Sequence, residues 1–357
     1  MIATGVNVRL ERWPKISVHQ FTTTTIQSAL EASSMVMSAS RVHLHLLRKP
    51  FTCSSRSFGD HELTQNLDNL QFIWGKKSLS DLSTWGIGGR CKIFVQVFNQ
   101  TQLLSAVRYC RERSERFLIV GKGSNCLFDD QGFDGCVILN RIDFLEKVEP
   151  GVYRVGSGYP FNRLGVQTAS EGFTGLEFAG GVPGTVGGAA YMNAGANTQE
   201  AGDCIHTVEI ITTGGQTRVL GKPELDFGYR SSPFQGMKDL ASITAVTFKL
   251  KFSQDAKQKQ MEYLERRKRS QPLGERTAGS VFRNPSDLDV SAGELIERAG
   301  LKGFRIGEAM VSERHANFFI NRGGATSHNM LELIALVKEM VHQKFGVQLR
   351  EEVLYIQ

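Results

Sequence analysis

Ser280 stands in the run Arg276-Thr-Ala-Gly-Ser-Val-Phe-Arg-Asn-Pro285, between the small residues Ala278-Gly279 and a Phe-Arg-Asn-Pro turn. Small residues let a ligand approach the main chain, and the proline stops the element that follows. A hydroxyl framed this way can hand a proton to a bound substrate; it can equally be a plain turn. Two other stretches carry charge in constrained surroundings. Phe227-Gly-Tyr-Arg-Ser-Ser-Pro-Phe234 sets Tyr229 and Arg230 between a glycine and a proline. The guanidinium fork suits a carboxylate or phosphate, or it caps carbonyls. In Leu349-Arg-Glu-Glu-Val-Leu-Tyr-Ile356, strand alternation sends Glu351 and Glu352 to opposite faces. One of them can enter a cleft, or both are solvated; the sequence does not choose.

Two glycine clusters offer main-chain donors. Gly121-Lys-Gly-Ser-Asn125 follows the apolar run Phe117–Val120, and a strand running into a Gly-x-Gly turn exposes successive N–H groups. Lys122, Gly123, Ser124 and Asn125 are its candidate contacts. The second cluster, Gly180-Gly-Val-Pro-Gly-Thr-Val-Gly-Gly188, can lie along a flat ligand or a pyrophosphate. Neither is a named nucleotide fingerprint: there is no G-x-G-x-x-G, and no Lys-Ser/Thr closes a P-loop. Tight turns in a sheet-rich region are the alternative for each.

The elements that must position these groups form an α+β or α/β pattern. Periodicity predicts helices over Gln100–Glu115, Asn162–Glu171, Gln254–Ser270, Ser291–Ala299 and Asn329–Phe345. Strands are expected at Phe117–Val120, Cys136–Leu139, Val152–Val155, Thr207–Thr212 and Ser242–Leu250. More follow around Val311, over Phe318–Ile320, and as a closing strand Val347–Ile356. A composition change near residue 252 marks a domain boundary.

Residues 1–59 hold seven Lys/Arg against two Glu, so +5 of the net +6 resides there. The remaining residues are close to neutral, with no basic stripe for nucleic acid. The first 60 residues also hold fifteen Ser/Thr, including Thr22–Thr25. A basic, hydroxyl-rich, acid-poor leader has the composition of an organelle transit peptide, with a disordered tail as the alternative. The Ser/Thr content and the lack of an Arg-rich amphipathic helix favour the chloroplast, with the leader at residues 1–62. No apolar run is long enough to span a bilayer. The six cysteines form no C-x-x-C, and no Cys/His cluster has zinc spacing, so no metal site is expected.

Together these motifs resemble the UDP-N-acetylenolpyruvoylglucosamine reductase family over about residues 68 to 357. They run in family order: Ser83-Thr-Trp-Gly-Ile-Gly88, Val120–Asn125, Gly175–Gly188, Phe227–Arg230, Ala278–Phe282 and the closing Glu-Glu-Val. The resemblance implies an α+β fold. An FAD-binding region of vanillyl-alcohol-oxidase type would cover 68–252 in two lobes, and a C-terminal α/β substrate-binding domain 253–357. It implies the shorter second type of the family, since only about 28 residues separate Lys251 from Ser280 and leave no room for a tyrosine-bearing closing loop. By the same resemblance, NADPH reduces bound FAD. UDP-N-acetylglucosamine enolpyruvate then takes hydride from flavin N5 at C3 and a proton from Ser280 at C2, giving UDP-N-acetylmuramate for peptidoglycan. Arg230 and Glu352 are the other catalytic residues implied. FAD contacts fall to Gly121, Lys122, Gly123, Ser124, Asn125, Gly181, Val182, Pro183, Gly184, Thr185, Gly187 and Gly188. Tyr229, Asn284 and His315 fall on the substrate side, His315 with packing as its alternative. Arg283 stands where lysine is commoner, and Gly274-Glu-Arg-Thr277 is more charged than the family's usual approach to the serine.

Overall fold

Phe117–Val120 is buried at every position, as expected of a strand covered on both faces. It lies beside Phe133–Asn140, which pairs in turn with Cys91–Val97, and both pairings are parallel. The helix Gln100–Glu112 makes the connection from Cys91–Val97 to Phe117–Val120. Its start is fixed by Asn99, whose side chain accepts the Gln102 N–H at 2.9 Å. Leu103, Ala106, Val107 and Cys110 recur at helical spacing and are fully or almost fully buried. This computed structural model describes residues 69–357 together with Thr4 and Gly5. The leader expected at 1–62 therefore lies outside the described residues, save for those two, which pair antiparallel with Leu118 and Phe117. The described residues belong to one compact unit.

A second five-stranded sheet is antiparallel throughout, in the order Thr217–Leu220, Ile205–Thr212, Leu240–Lys249, Val152–Gly156, Leu145–Glu149. Tyr153, Val208, Val246 and Phe248 from this sheet join Phe161, Leu164 and Phe178 in one apolar core. The helix Phe161–Ser170 and the polar helix Ala256–Ser270 pack against the short turn Glu177–Gly181.

The C-terminal stretch builds its own core, in which Phe282, Phe319, Met330, Ile334 and Val337 pack on Trp85. Trp85 comes from Ser83–Gly88, about two hundred residues earlier. It is fully buried, its indole N–H donates to the Phe319 carbonyl at 2.8 Å, and its own carbonyl accepts from Asn321 Nδ2 at 2.8 Å. The last strand, Leu354–Ile356, runs parallel to Cys126–Phe128 and pairs with it residue by residue. These two ties bring the serine-bearing stretch against the first glycine loop.

The expected α+β class is observed, and every expected helix is present, with ends moved by up to three residues: the helix expected to Glu115 ends at Glu112. Two readings need correction. The closing strand is not continuous from Val347: regular pairing covers only Leu354–Ile356, preceded by a single bridge from Glu351 to Phe282. Before Leu354 the main chain bonds to another partner: Arg350 O accepts from Arg283 N and Glu352 N donates to Val281 O, so these residues do not pair with Cys126–Phe128. The second glycine cluster is also not all loop. Thr185 caps a helix over Val186–Met192, its side chain accepting from Gly188 N at 3.4 Å. Glycine's low helix propensity hid this helix, which Ala189, Ala190 and Tyr191 secure by burial. No helix of the described residues is long and apolar enough to cross a membrane.

Candidate active site

The stretch Ser280–Arg283 runs between two others. On one side Ser280 bridges Phe318, and Val281 N donates to Asn317 O at 2.8 Å. On the other, Glu352 N donates to Val281 O at 2.7 Å and Arg283 N to Arg350 O at 2.8 Å. Asn317 is buried and holds both main-chain groups of Phe282, accepting from its N at 3.0 Å and donating to its O at 2.8 Å. The ladder fixes the main chain under the serine. Among the described residues, Ser280 Oγ has no protein hydrogen-bond partner, so its hydroxyl can turn to a ligand.

Arg230 sits at the tight turn Gly228–Ser231 with φ of 53°, a left-handed conformation costly for a side-chain-bearing residue. Strain of this kind persists where surrounding bonds enforce it. Asn193 supplies one such bond, donating to the Gly228 carbonyl at 2.8 Å and to Glu200 Oε2 at 2.7 Å. The Arg230 guanidinium donates from Nε to Glu352 Oε1 at 2.6 Å and from Nη2 to Gly195 O at 3.0 Å. Glu200 Oε1 lies 3.9 Å from Nη1. Both side chains of the Arg230–Glu352 pair are 15% exposed. Burial pushes the Glu352 carboxyl above the ordinary range, and Arg230 and Arg283 only partly offset it. Strand alternation is resolved here: Glu352 faces Arg230, while Glu351 faces Lys338.

Ser280, Arg230 and Glu352 open on one cavity of about 440 Å³. Lys122, Gly123, Ser124 and Asn125 line it, as do Val182, Pro183, Gly184, Thr185 and Gly188. Ser124 Oγ donates to Pro183 O at 3.1 Å and ties the two glycine loops together. Asn125 Nδ2 donates to the Glu352 carbonyl at 3.0 Å and ties the first loop to the catalytic candidates. Asn284 and His315 also line the cavity. Asn284 Oδ1 accepts from Ala292 N at 3.1 Å. His315 Nδ1 accepts the Asn317 N–H at 3.2 Å, which places the proton of the neutral ring on Nε2. Burial lowers the His315 pKa, so the ring is neutral at pH 7.

Four expected contacts stand back from this cavity. Gly121 is buried against Thr185, and Gly187 donates to Ser157 O at 2.8 Å. Gly181 borders a smaller neighbouring cavity. Tyr229 lies on the outer side of the turn, under the Arg230 guanidinium, with its hydroxyl accepting from Asn284 N at 3.2 Å. The sequence reading missed Arg267, Gln271 and Asn197, which line the same cavity. Arg267 is hidden in a run of four basic residues, Arg266–Arg269, which reads as a solvated helix face.

A family profile described as the C-terminal domain of UDP-N-acetylenolpyruvoylglucosamine reductase matches residues 271–356. Another, described as an FAD binding domain, matches residues 91–221. A UDP-N-acetylenolpyruvoylglucosamine reductase of Protochlamydia amoebophila is 48% identical over 278 residues, covering 78% of this chain and 92% of that one. The chain belongs to the UDP-N-acetylenolpyruvoylglucosamine reductase family. The enzyme of the same name from Chlamydia felis is 43% identical over the same span. The crystal structure of the Thermus caldophilus reductase superposes with a TM-score of 0.67 at 32% identity, covering 81% of this chain and 99% of that one. The two profile matches join an FAD-binding domain to a C-terminal domain of that family in this chain.

The glycine loops fit a bound flavin nucleotide. Gly123 has φ of 57°, and a Cβ there would lie 1.9 Å from the Leu82 carbonyl oxygen. Only glycine turns the chain at that point, leaving the loop's main chain as the cavity wall. A wall of main-chain donors suits a diphosphate or a flavin ring edge.

Proposed function

We propose that this protein reduces UDP-N-acetylglucosamine enolpyruvate to UDP-N-acetylmuramate, using NADPH and bound FAD, in the manner of the second type within the family. The convergence of Ser280 with the Arg230–Glu352 pair on the cavity lined by both glycine loops carries this reading. When bound, FAD would supply the hydride that C3 of the enolpyruvyl group takes, with NADPH as the reductant of the flavin. The chain's own residues do the rest. Arg230 offers charge to the substrate carboxylate, where negative charge builds as C3 is reduced. Ser280 Oγ, with no hydrogen-bond partner among the described residues, delivers the proton to C2. Glu352 holds the Arg230 fork in place through its Nε. The neutral His315 presents Nε2–H to the substrate, and Lys122 and the loop main chain take the cofactor side. Second-type membership rests on the short path from Leu240–Lys249 to Ser280, which contains the two-residue strand Lys251–Phe252 and one helix, Ala256–Ser270.

Purified protein beginning near residue 63 should be yellow and should oxidise NADPH only when the enolpyruvyl sugar is added. Yellow protein without substrate-dependent turnover would sink the assignment. It would leave a flavin oxidoreductase of another substrate, or a non-catalytic binder, in its place.

We also propose that residues 1–62 direct the chain to the chloroplast stroma. Their basic, hydroxyl-rich, acid-poor composition supports this. Those residues fused to a fluorescent protein should deliver it to plastids; a cytosolic signal would refute the proposal.

A further inference from the structure

Among the described residues Arg267 is a cation without an anion. It stands on the helix Ala256–Ser270 at the junction of the main cavity and a smaller recess of about 70 Å³; Ala196, Asn197 and Gln271 border both. Its Nε is shut off from solvent and has no hydrogen-bond partner, and among the described residues no carboxylate pairs with its guanidinium. Beside it, Gln271 Oε1 is likewise buried and unpartnered. Burial pushes the arginine's pKa down to about 10, so it remains charged at pH 7. Buried charges in proteins are paired or are held for a ligand, because an uncompensated one is costly.

The main chain makes room for this side chain. Ala256, Gln260 and Arg267 fall on one helix face, at steps of four and seven residues. That face meets Gly180 and Gly181. A Cβ on Gly180 would lie 2.7 Å from Gln260 Nε2, and one on Gly181 2.5 Å from Arg267 Cδ. Gly181 thus serves the cavity indirectly: it lets the arginine pass the loop and reach in.

We propose that Arg267 is a ligand anchor for a diphosphate, its planar fork taking the phosphate oxygens at the mouth of the recess. Two ligands of the proposed reaction carry that group, FAD and a UDP sugar, and the chemistry of the site is the same for either. The FAD source rests on the family assignment; the UDP source rests on the substrate reading above.

The test uses the flavin-loaded protein with Arg267→Gln and Arg267→Lys. One arm measures FAD retention by ultrafiltration; the other titrates UDP and uridine through the change in flavin absorption. Loss of one charge-assisted contact should weaken the diphosphate ligand about 10- to 100-fold. If FAD is the occupant, its dissociation constant rises by that factor while the UDP-to-uridine affinity ratio stays fixed. If the UDP group is, that ratio collapses and FAD stays bound. Arg267→Lys should recover part of either loss, because it keeps the charge and not the fork. Removing an uncompensated charge should also leave the melting temperature of the flavin-stripped protein no lower than wild type. Unchanged FAD retention and an unchanged ratio overturn the anchor. So does a lower melting temperature of the stripped protein with no rescue by lysine, which marks a structural arginine. Wild-type protein that binds neither UDP nor uridine defeats the substrate reading instead, and leaves the FAD arm to decide.

Discussion

Ser280→Ala should slow reduction of the enolpyruvyl sugar by about 10²–10⁴-fold, the range for removing a positioned proton donor. Flavin reduction by NADPH should proceed at the wild-type rate, because that half-reaction needs no proton at C2. The two are separated by stopped-flow absorbance: the flavin bleaches normally with NADPH and recovers its colour slowly when substrate is added. Stability should barely move. Among the described residues Ser280 Oγ makes no hydrogen bond, and the ladder beneath it uses only main-chain groups and Asn317. A substitution of this kind alters stability by about 0.5 kcal/mol or less. A variant that re-oxidises with substrate within threefold of wild type would remove Ser280 from the chemistry.

That test bears on how so weak an acid is used. The hydroxyl is held with no competing protein partner, beside a cavity wall carrying Arg230 and the neutral His315. Charge developing on the substrate, stabilised by Arg230, makes C2 the stronger proton acceptor. The serine need not be acidified in the resting protein.

Much of this arrangement is legible in the sequence because the chemistry sits in short, unusual runs. The Gly-Tyr-Arg turn, the Ala-Gly-Ser approach and the glycine loops carry composition that ordinary elements avoid. Helices with one apolar face, such as Gln100–Glu112, show themselves by spacing. What escaped depends on tertiary partners. Which of Glu351 and Glu352 enters the cavity is decided by Lys338 and Arg230, thirteen residues and one hundred and twenty-two residues away. Trp85 looks like part of an N-terminal motif, yet it completes the C-terminal core. Arg267 reads as surface, because the glycine that admits it, Gly181, lies on another element.

Replacing Arg230 should affect both catalysis and folding, in a way that separates the two. Arg230→Met should lower kcat/KM by about 10²–10³-fold, the size found for losing one preorganised group at developing charge. It should also destabilise the protein by about 2–3 kcal/mol. That is below the ~3–5 kcal/mol of a fully buried pair, because both partners are 15% exposed. Relief of the strained φ at residue 230 does not offset this, since methionine inherits the same turn. The loss arises from Glu352, left in its shielded site with its nearest cation gone. The carboxyl already has a folded pKa above its unfolded value because of burial, and without Arg230 that pKa rises further. A raised carboxyl pKa means the folded state takes up a proton as pH falls, so its stability is best below that pKa and declines as pH rises through it. The deficit of Arg230→Met relative to wild type should therefore be larger at pH 8 than at pH 5, read from urea unfolding at each. Adding Glu352→Gln should restore most of the stability and flatten the pH difference, while activity stays low. A double variant that regains activity along with stability would show that the arginine serves the fold alone, and that its place on the cavity wall is incidental to the reaction.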